Sequence, residues 1–296
     1  MPATILQQAE LPNLPSASGI EVVGNTVYII GDDSPFLYHL DTRTLAPNRQ
    51  LTLFETTHFS TGRIPKGRKP DLECLTALTV NGEAALLACG SGATALREQG
   101  FWVGLEENAT VYPLSLSGLY AALRPFLPSG TLLNLEAAAA TATELLLFQR
   151  TLGSAQGVVF RLPLAEVVAY LRKRTSQVPP IQLHYFTLPN INGRFAGFSG
   201  AAAVAEKILV TASVEDTLDP IADGEVLGSF VGMLDLTWTA DRPIALTQLV
   251  LPDGQPYLGK VEGVAVRSVQ APGQYELLLV TDDDQGGSTI LTVAFS

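Results

Sequence analysis

The sequence has few charged residues, and few of those are basic, which excludes two classes of protein. Only 16% of the 296 residues are charged and 47% are hydrophobic, so the chain has enough apolar surface to fold and is not intrinsically disordered. Lys and Arg number 18 against 29 Asp and Glu, a net charge of −11. A general nucleic-acid binder needs a dominant basic face, so we expect no nucleic-acid partner.

Histidine and cysteine are scarce as well. The three histidines are scattered along the chain: His39, His58 and His184. This removes most zinc sites and most His-dependent mechanisms. Two cysteines, Cys74 and Cys89, cannot form a disulfide framework. If the turn at residues 81–82 is the centre of a hairpin, the two thiols face each other on neighbouring strands, where disulfide geometry is rarely met and buried free thiols are expected.

No stretch is long and apolar enough to suggest a membrane span. The most hydrophobic one, residues 132–148, is interrupted by Asn134, Glu136 and Glu144, whereas a span needs about 18 uninterrupted apolar residues. The N-terminal segment MPATILQQAELPNL has neither the basic nor the apolar region of a signal peptide. We therefore expect no membrane partner, no signal peptide and, by default, a cytoplasmic location.

One pattern occurs five times along the chain: a strand of small residues, a turn, and a more hydrophobic strand that ends in polar residues. The starts of the five copies lie 55, 63, 63 and 63 residues apart. The copies are Ser18–Asp33, Glu73–Gly92, Glu136–Arg150, Ser199–Asp216 and Glu262–Asp284. Regular repeats of short strands are typical of β-propellers, in which each repeat forms one blade.

The predicted fold is all-β: a five-bladed β-propeller formed by a single domain of residues 1–296. Residues 3–12 resemble residues 245–252, which read as an outer strand. The N-terminal strand is therefore expected to close the last blade, which leaves only short sheet edges. Two segments with helical spacing, 115–126 and 164–174, are predicted as short helical insertions. A β-sandwich with added helices is the alternative architecture.

One position of the repeat carries a side-chain oxygen in every copy: Ser18, Glu73, Glu136, Ser199 and Glu262. It begins each innermost strand, so in a closed ring the five side chains would point at the axis. Three converging carboxylates repel one another unless they are compensated, and ligands that are all oxygen favour Ca²⁺. The alternative is that the glutamates bond backbone amides around a water-filled tunnel.

The order Ser, Glu, Glu, Ser, Glu resembles that of the soluble calcium-activated nucleotidases, or apyrases. It is carried by the strings SGIEVVGNTVYIIGDD, DLECLTAL, NLEAAAATATELLLFQR, SGAAAV and KVEGVAV. The resemblance implies a five-bladed propeller that hydrolyses nucleoside di- and triphosphates and holds a central Ca²⁺ with the five column residues. It also matches acidic positions to Asp32, Asp33 and Glu215 and a basic position to Arg150. Ser34 and Thr151 stand where the family pattern has arginine.

The predicted metal face collects eight of the 18 basic residues: Arg63, Lys66, Arg68, Lys69, Arg97, Arg150, Arg194 and Lys260. We expect a calcium-dependent hydrolase of a small, phosphate-bearing anion. Its expected catalytic residues are Asp32, Asp33 and Glu215, and its expected substrate-binding residues are Arg97, Arg150 and Arg194. The alternatives are a binding propeller with a structural metal and a lactonase-like or esterase-like hydrolase. Convergent guanidiniums would favour phosphate, whereas aromatic walls would favour a sugar or an ester.

Overall fold

The fold is built almost entirely from antiparallel β-strands. A computed structural model describes residues 2–106, 108–205, 207–217, 224–235 and 244–296. Strand β1 (Ala3–Glu10) is followed by three four-stranded sheets, each with its strands in chain order. The first contains β2 (Ala17–Val23), β3 (Thr26–Gly31), β4 (Phe36–Asp41) and β5 (Pro47–Thr52). The second contains β6 (Leu72–Val80), β7 (Glu83–Gly90), β8 (Gln99–Gly104) and β9 (Thr110–Ser115). The third contains β10 (Leu135–Ala140), β11 (Glu144–Gln149), β12 (Gln156–Pro163) and β13 (Gln182–Thr187).

The rest of the chain forms a short hairpin and an eight-stranded sheet. The hairpin is β14 (Asn190–Ile191) with β15 (Arg194–Phe195). The remaining strands are β16 (Gly197–Val204), β17 (Lys207–Glu215), β18 (Val226–Asp235), β19 (Leu246–Val250), β20 (Lys260–Ala271), β21 (Gln274–Asp282) and β22 (Ser288–Phe295). Their order in the sheet is β16-β17-β18-β19-β1-β22-β21-β20.

Strand β1 joins the two halves of this sheet, because it pairs antiparallel with β22 and parallel with β19. Ala3 and Ile5 of β1 are each only 1% exposed and pack in the core that these strands share. The predicted pairing of the N-terminal segment with the C-terminal strand is confirmed.

Both predicted helical insertions are present, each shorter than its sequence pattern suggested. They are α1 (Ser117–Leu123), which continues into a 3-10 turn at Arg124–Phe126, and α2 (Leu164–Leu171). The apolar faces of both helices pack into the core between the second and third sheets. Within the described ranges, no helix has the length and apolar character needed to cross a membrane.

The first strands of the repeats surround a common axis. Strands β2, β6, β10, β16 and β20 contact one another in cyclic order, so that β20 again meets β2. Clusters of buried apolar side chains fill the spaces between neighbouring sheets. A Cβ atom added at Gly200 would lie 2.9 Å from Cα of Gly263, so small residues are required where these strands meet. This circular arrangement is that of a β-propeller and not of a β-sandwich.

The predicted hairpin between the two cysteines is confirmed. Cys74 and Cys89 are register partners across β6 and β7, and both are buried free thiols. Asn81 and Gly82, at the turn, have φ angles of 53° and 85°, as expected for the hairpin turn that asparagine and glycine favour.

Candidate functional site

The five column residues share a local backbone feature. In each innermost strand the register with the second strand shifts by one residue at that position, so that one extra residue has no partner. The extra residues are Ser18, Glu73, Glu136, Ser199 and Glu262. A β-bulge of this kind bends a strand and redirects a side chain, and it is frequent next to active sites.

Four of these bulges lie at the floor of a cavity of about 450 Å³ at one end of the axis. Its wall is mostly charged and contains nine carboxylates and six cationic side chains. The carboxylates are Asp32, Asp33, Asp71, Glu73, Glu136, Glu215, Glu262, Asp282 and Asp284. The cations are Arg63, Lys66, Lys69, Arg97, Arg150 and Lys260. Below this floor, the channel along the axis is lined mainly by small and apolar residues. Its free volume there is only about 10 Å³.

Four of the five column residues line this cavity, and Ser199 does not. The Ser199 side chain is fully buried, and its hydroxyl lies 3.2 Å from Oγ1 of Thr211 and 3.4 Å from Oγ of Ser213, both on β17. The Ser18 hydroxyl donates a hydrogen bond of 2.5 Å to the carbonyl of Leu72. Because a serine side chain is short, both hydroxyls find their hydrogen-bond partners on neighbouring strands.

Arg150 lies among three buried carboxylates that come from different strands. Its guanidinium is 3.0 Å from Glu215, 3.5 Å from Glu136 and 3.9 Å from Glu262. Burial alone would lower the pKa of this guanidinium, but the three carboxylates raise it above its ordinary value. A Cβ atom added at Gly197 would lie 2.7 Å from Cγ of Arg150, so glycine leaves the room that the arginine side chain occupies.

Lys260 is a second internal cation. Its ammonium lies 2.9 Å from Glu262, 3.3 Å from Glu215 and 3.2 Å from Asp284. Burial raises the pKa of Glu215, but Arg150 and Lys260 outweigh it and hold that pKa below its ordinary value. Two of the three predicted metal-binding glutamates, Glu136 and Glu262, therefore already have protein cations beside them.

Glu73 differs from the other two column glutamates. Among the described residues, its carboxylate makes no hydrogen bond or ion pair within the usual distances. Instead, one oxygen of Glu73 lies within 4.8 Å of an oxygen of Asp32 and an oxygen of Asp71, which also lie that close to each other. Burial, followed by the charges of Glu136 and Asp71, raises the pKa of Glu73 well above its ordinary value.

Asp32 and Asp71 are held by the cations around this cluster. Lys69 contacts Asp32 and lies 3.1 Å from Asp71, and Arg97 donates a hydrogen bond of 2.6 Å to Asp71. The other oxygen of Asp32, Oδ1, is buried without a hydrogen-bond partner. Burial raises the pKa of Asp32 to about 6, although Lys69 opposes the shift. Asp71 has a φ of 56°, a strained conformation for a residue with a side chain and one that is concentrated at functional sites.

Asp33 has a different environment from Asp32. Its side chain is 3% exposed, and its Oδ2 accepts hydrogen bonds from Arg63, at 2.5 Å, and from the hydroxyl of Ser16, at 3.2 Å. The backbone N–H of Ile64 also donates to the carbonyl of Asp33. Arg63 belongs to the loop after β5, so this loop places a guanidinium against the acidic pair that follows the first hairpin.

The structure brings two of the three predicted substrate-binding arginines to the cavity. Arg97 and Arg150 line it, but Arg194 does not. Arg194 pairs at 2.6 Å with Asp216, and both side chains are more than a third exposed. None of the described residues of the cavity wall is aromatic.

Sequence reasoning did not single out Asp71 and Asn134. It placed Lys260 on the predicted metal face but gave it no role. All three line the cavity, and each stands two residues before a column glutamate. Asn134 donates a hydrogen bond of 2.5 Å to Glu136. Lys260 begins β20, and Asp71 and Asn134 immediately precede β6 and β10, so all three stand at the start of an innermost strand. The position two residues before each column glutamate was therefore the signal that could have identified them.

Comparison with solved structures identifies the class of protein. The chain is similar to the glutaminyl cyclase of Myxococcus xanthus, with a TM-score of 0.50, 10% identity and coverage of 100% of this chain and 99% of that chain. It is similar to the allergen Mala s 1 of Malassezia sympodialis, with a TM-score of 0.50, 10% identity and coverage of 97% and 95%. The α-L-arabinanase of Cellvibrio cellulosa gives a TM-score of 0.49, 11% identity and coverage of 96% and 91%. Such low identities bear on the fold alone, and the two matches with a TM-score of 0.50 agree with a β-propeller fold.

The chain is assigned more closely by its sequence. Residues 13–295 match the family described as "Family of unknown function (DUF6929)", and the chain belongs to that family. A search of curated proteins gives no significant match.

Proposed function

We propose that the protein is a five-bladed propeller, formed as one domain by residues 1–296. Under this interpretation the eight-stranded sheet is two blades joined through β1 and β19, since only two residue pairs connect those strands. The cyclic contacts of five innermost strands support the count. So do the apolar clusters, each of which lies between two neighbouring four-stranded units.

We further propose that the axial cavity binds a divalent cation, with Ca²⁺ as the first candidate. The observation that carries this proposal is the cluster of Asp32, Asp71 and Glu73, which combines three closely spaced carboxylates, an unpartnered buried oxygen and a glutamate without an ion pair. Oxygen ligands with adaptable spacing suit Ca²⁺. The expected five-residue column fits a cation less well, because Arg150 and Lys260 compensate Glu136 and Glu262 and Ser199 lies outside the cavity.

The proposed activity is hydrolysis of a small, phosphate-bearing anion. A bound Ca²⁺ supplies positive charge that polarises a phosphoryl oxygen or holds water. The guanidiniums of Arg63 and Arg97, with Lys69, stand beside the carboxylate cluster and would bind and orient the anion. Asp32 is the preferred proton acceptor, because its Oδ1 is buried in the cavity without a hydrogen-bond partner, while Asp71 and Glu73 would hold the cation. The guanidiniums and the non-aromatic wall support phosphate over a sugar or an ester.

Cation binding is tested by unfolding experiments with Ca²⁺ and with a chelator. Ca²⁺ should raise the melting temperature, because a ligand that binds only the folded state stabilises that state. Asp71→Asn and Glu73→Gln should each reduce the increase. The matched controls are Asp253→Asn and Glu83→Gln, whose carboxylates are exposed and do not line the cavity. A melting temperature that responds to neither Ca²⁺ nor chelator would refute the cation site.

Hydrolysis is tested on nucleoside di- and triphosphates, phosphomonoesters, aryl esters and lactones. Phosphate release that is lost in chelator, and reduced about 10²–10⁴-fold in Asp32→Asn, would support the proposal. Ester or lactone cleavage without phosphate release would move the assignment to the lactonase-like alternative. Ca²⁺ binding without any turnover would favour a binding propeller with a structural metal.

A further inference from the structure

A second groove lies on the outer side of the molecule, between β9 and the end of α2. It encloses about 890 Å³ and shares no lining residue with the axial cavity. Its wall is formed by residues 112–115, 117–118 and 170–176. The helical segment that ends in Leu-Arg-Lys-Arg, which the proposed activity does not use, supplies one side of it.

The charge of this groove is opposite to that of the molecule. Arg172, Lys173 and Arg174 line it, and no carboxylate does among the described residues. Among the residues that the structure describes, no carboxylate lies within ion-pairing distance of any of these three side chains. Arg172 and Arg174 also border a smaller neighbouring pocket that contains Glu83 and Glu106. In a chain with a net charge of −11, three adjacent cations are still a local reversal of charge, and such a patch attracts anions.

Aromatic neighbours hold one of these cations in place, and the backbone fixes the end of the helix that carries all three. The guanidinium of Arg172 lies over the rings of Trp102 and Tyr112, with its Cζ atom 5.3 and 5.0 Å from their centroids. Lys173 has a φ of 56°, and the backbone N–H of Arg174 donates a hydrogen bond of 2.8 Å to the carbonyl of Ala169. This local geometry ends the helix and directs the tripeptide along the groove. A preorganised cation loses less entropy when it binds an anion.

Hydroxyl groups line the rest of the groove: Ser115, Ser117, Tyr170, Thr175 and Ser176. The hydroxyls of Ser115 and Ser117 lie 3.0 Å apart. A Cβ atom at Gly118 would lie 2.3 Å from the Tyr170 hydroxyl, so glycine admits that group. A phosphate has more acceptor oxygens than a carboxylate and so makes fuller use of guanidinium, ammonium and hydroxyl donors together.

We propose that this groove binds a ligand that carries more than one phosphate group. The groove is larger than a single phosphate needs, and its three cations can neutralise several negative charges. The proposal is independent of the activity proposed for the axial cavity, because the two sites have no residue in common.

Titration calorimetry with pyrophosphate and tripolyphosphate tests the proposal. Tripolyphosphate should bind, and its affinity should fall with rising salt, because neutralised phosphates release counterions. The Arg172→Gln/Arg174→Gln double variant should raise the Kd about tenfold or more. Arg43→Gln/Arg49→Gln is the matched control, since it removes the same charge from exposed positions elsewhere, and its Kd should stay unchanged.

Further arms separate the groove from the cavity and a soluble ligand from a lipid. Arg97→Gln, in the cavity wall, should leave groove binding intact. If Arg172→Gln disturbs folding, Lys173→Gln/Arg174→Gln serves in its place and should show the same loss. Vesicles of phosphatidylcholine with a phosphatidylinositol bisphosphate, bound only when the tripeptide is intact, would identify a lipid with several phosphate groups as the source. Equal losses in the Arg172→Gln/Arg174→Gln variant and the Arg43→Gln/Arg49→Gln control, no phosphate binding, or tighter binding of an oligoglutamate peptide would each overturn the proposal.

Discussion

At the scale of single residues, Arg150 compensates three buried carboxylates of the axial cavity. Glu136 is on β10, Glu215 ends β17 and Glu262 is on β20, so one guanidinium compensates carboxylates from three strands. Without Arg150, Glu136 loses its cation and Lys260 alone faces Glu215 and Glu262. This costs more than losing an exposed ion pair, because the remaining charges are desolvated.

Replacing Arg150 with Gln should therefore destabilise the protein by about 3–5 kcal/mol. Ca²⁺ should restore part of this loss, since the freed carboxylates would then offer oxygen ligands. Urea unfolding with and without Ca²⁺ measures both effects. Arg194→Gln, which removes an exposed arginine paired with Asp216, is the control and should cost less than about 1 kcal/mol. Equal losses in the two variants would contradict this role for Arg150.

At the scale of strands, two features connect neighbouring units. Strand β1 closes the gap between β19 and β22. Two adjacent side chains of this strand differ in burial: Ile5 is 1% exposed and Leu6 is 57% exposed. At the opposite end of the axis from the cavity, Glu21 of β2 accepts a hydrogen bond of 3.0 Å from the backbone N–H of Ala77 on β6.

The importance of β1 can be measured by shortening two side chains of this strand. Ile5→Ala should lower the free energy of unfolding by about 2–5 kcal/mol, because it leaves a cavity in the core. Leu6→Ala should change it by less than about 0.5 kcal/mol, because that side chain is in solvent. Deleting residues 1–12 should destabilise the whole domain. A truncated protein that melts like the full chain would show that β1 does not close the fold.

Glu21 should make stability depend on pH. Burial raises its pKa from 4.5 to about 7, against the opposing hydrogen bonds of Ala77 and Val22. The folded state then binds more protons than the unfolded state between these values, so stability falls as the pH rises from 4.5 to 7. Each pH unit in that window is worth about 1.4 kcal/mol at most.

Unfolding free energies measured from pH 5 to pH 8 test this dependence. The Glu21→Gln variant should show a shallower decline than the wild type over the window between those two pKa values. The comparison isolates Glu21, because the cavity carboxylates with raised pKa values, such as Glu136 and Asp282, are present in both proteins. Parallel curves would exclude Glu21 as the source.

At the scale of the whole molecule, the two ends of the chain meet. The backbone N–H of Ser296 donates a hydrogen bond to the carbonyl of Pro2 at 3.3 Å, and β1 and β22 are paired from there onward. A closed ring has no preferred starting point once its ends are joined, provided that the new ends fall in an exposed turn.

A circular permutant should therefore fold. Joining residue 296 to residue 2 through a short linker and opening the exposed turn between Gly24 and Asn25 should leave the circular dichroism spectrum and the melting temperature close to those of the wild type. Opening the chain between Leu86 and Leu87, which are buried in β7, should prevent folding. If both permutants fold equally well, the closed-ring interpretation loses its support.

The sequence by itself determined the repeat, its strands and the closing role of the N-terminus. These features are local or periodic: the alternation of small and apolar residues, the turn at Asn81 and Gly82 and the spacing of Glu73 and Glu136 are all visible along the chain. The cross-strand register that places Cys74 opposite Cys89 followed from the same turn, because hairpin register depends only on nearby residues.

Only the tertiary structure decided which charges meet. Arg150 reaches Glu215 and Glu262, and Lys69 reaches Asp32, through closure of the ring and the path of the loop after β5. The redirection of Ser199 toward β17 and the exclusion of Arg194 from the cavity depend on the same packing. A column of similar residues in the sequence specifies which side chains approach the axis. Their final partners depend on three-dimensional distances, because electrostatic attraction and desolvation act through space and not along the chain.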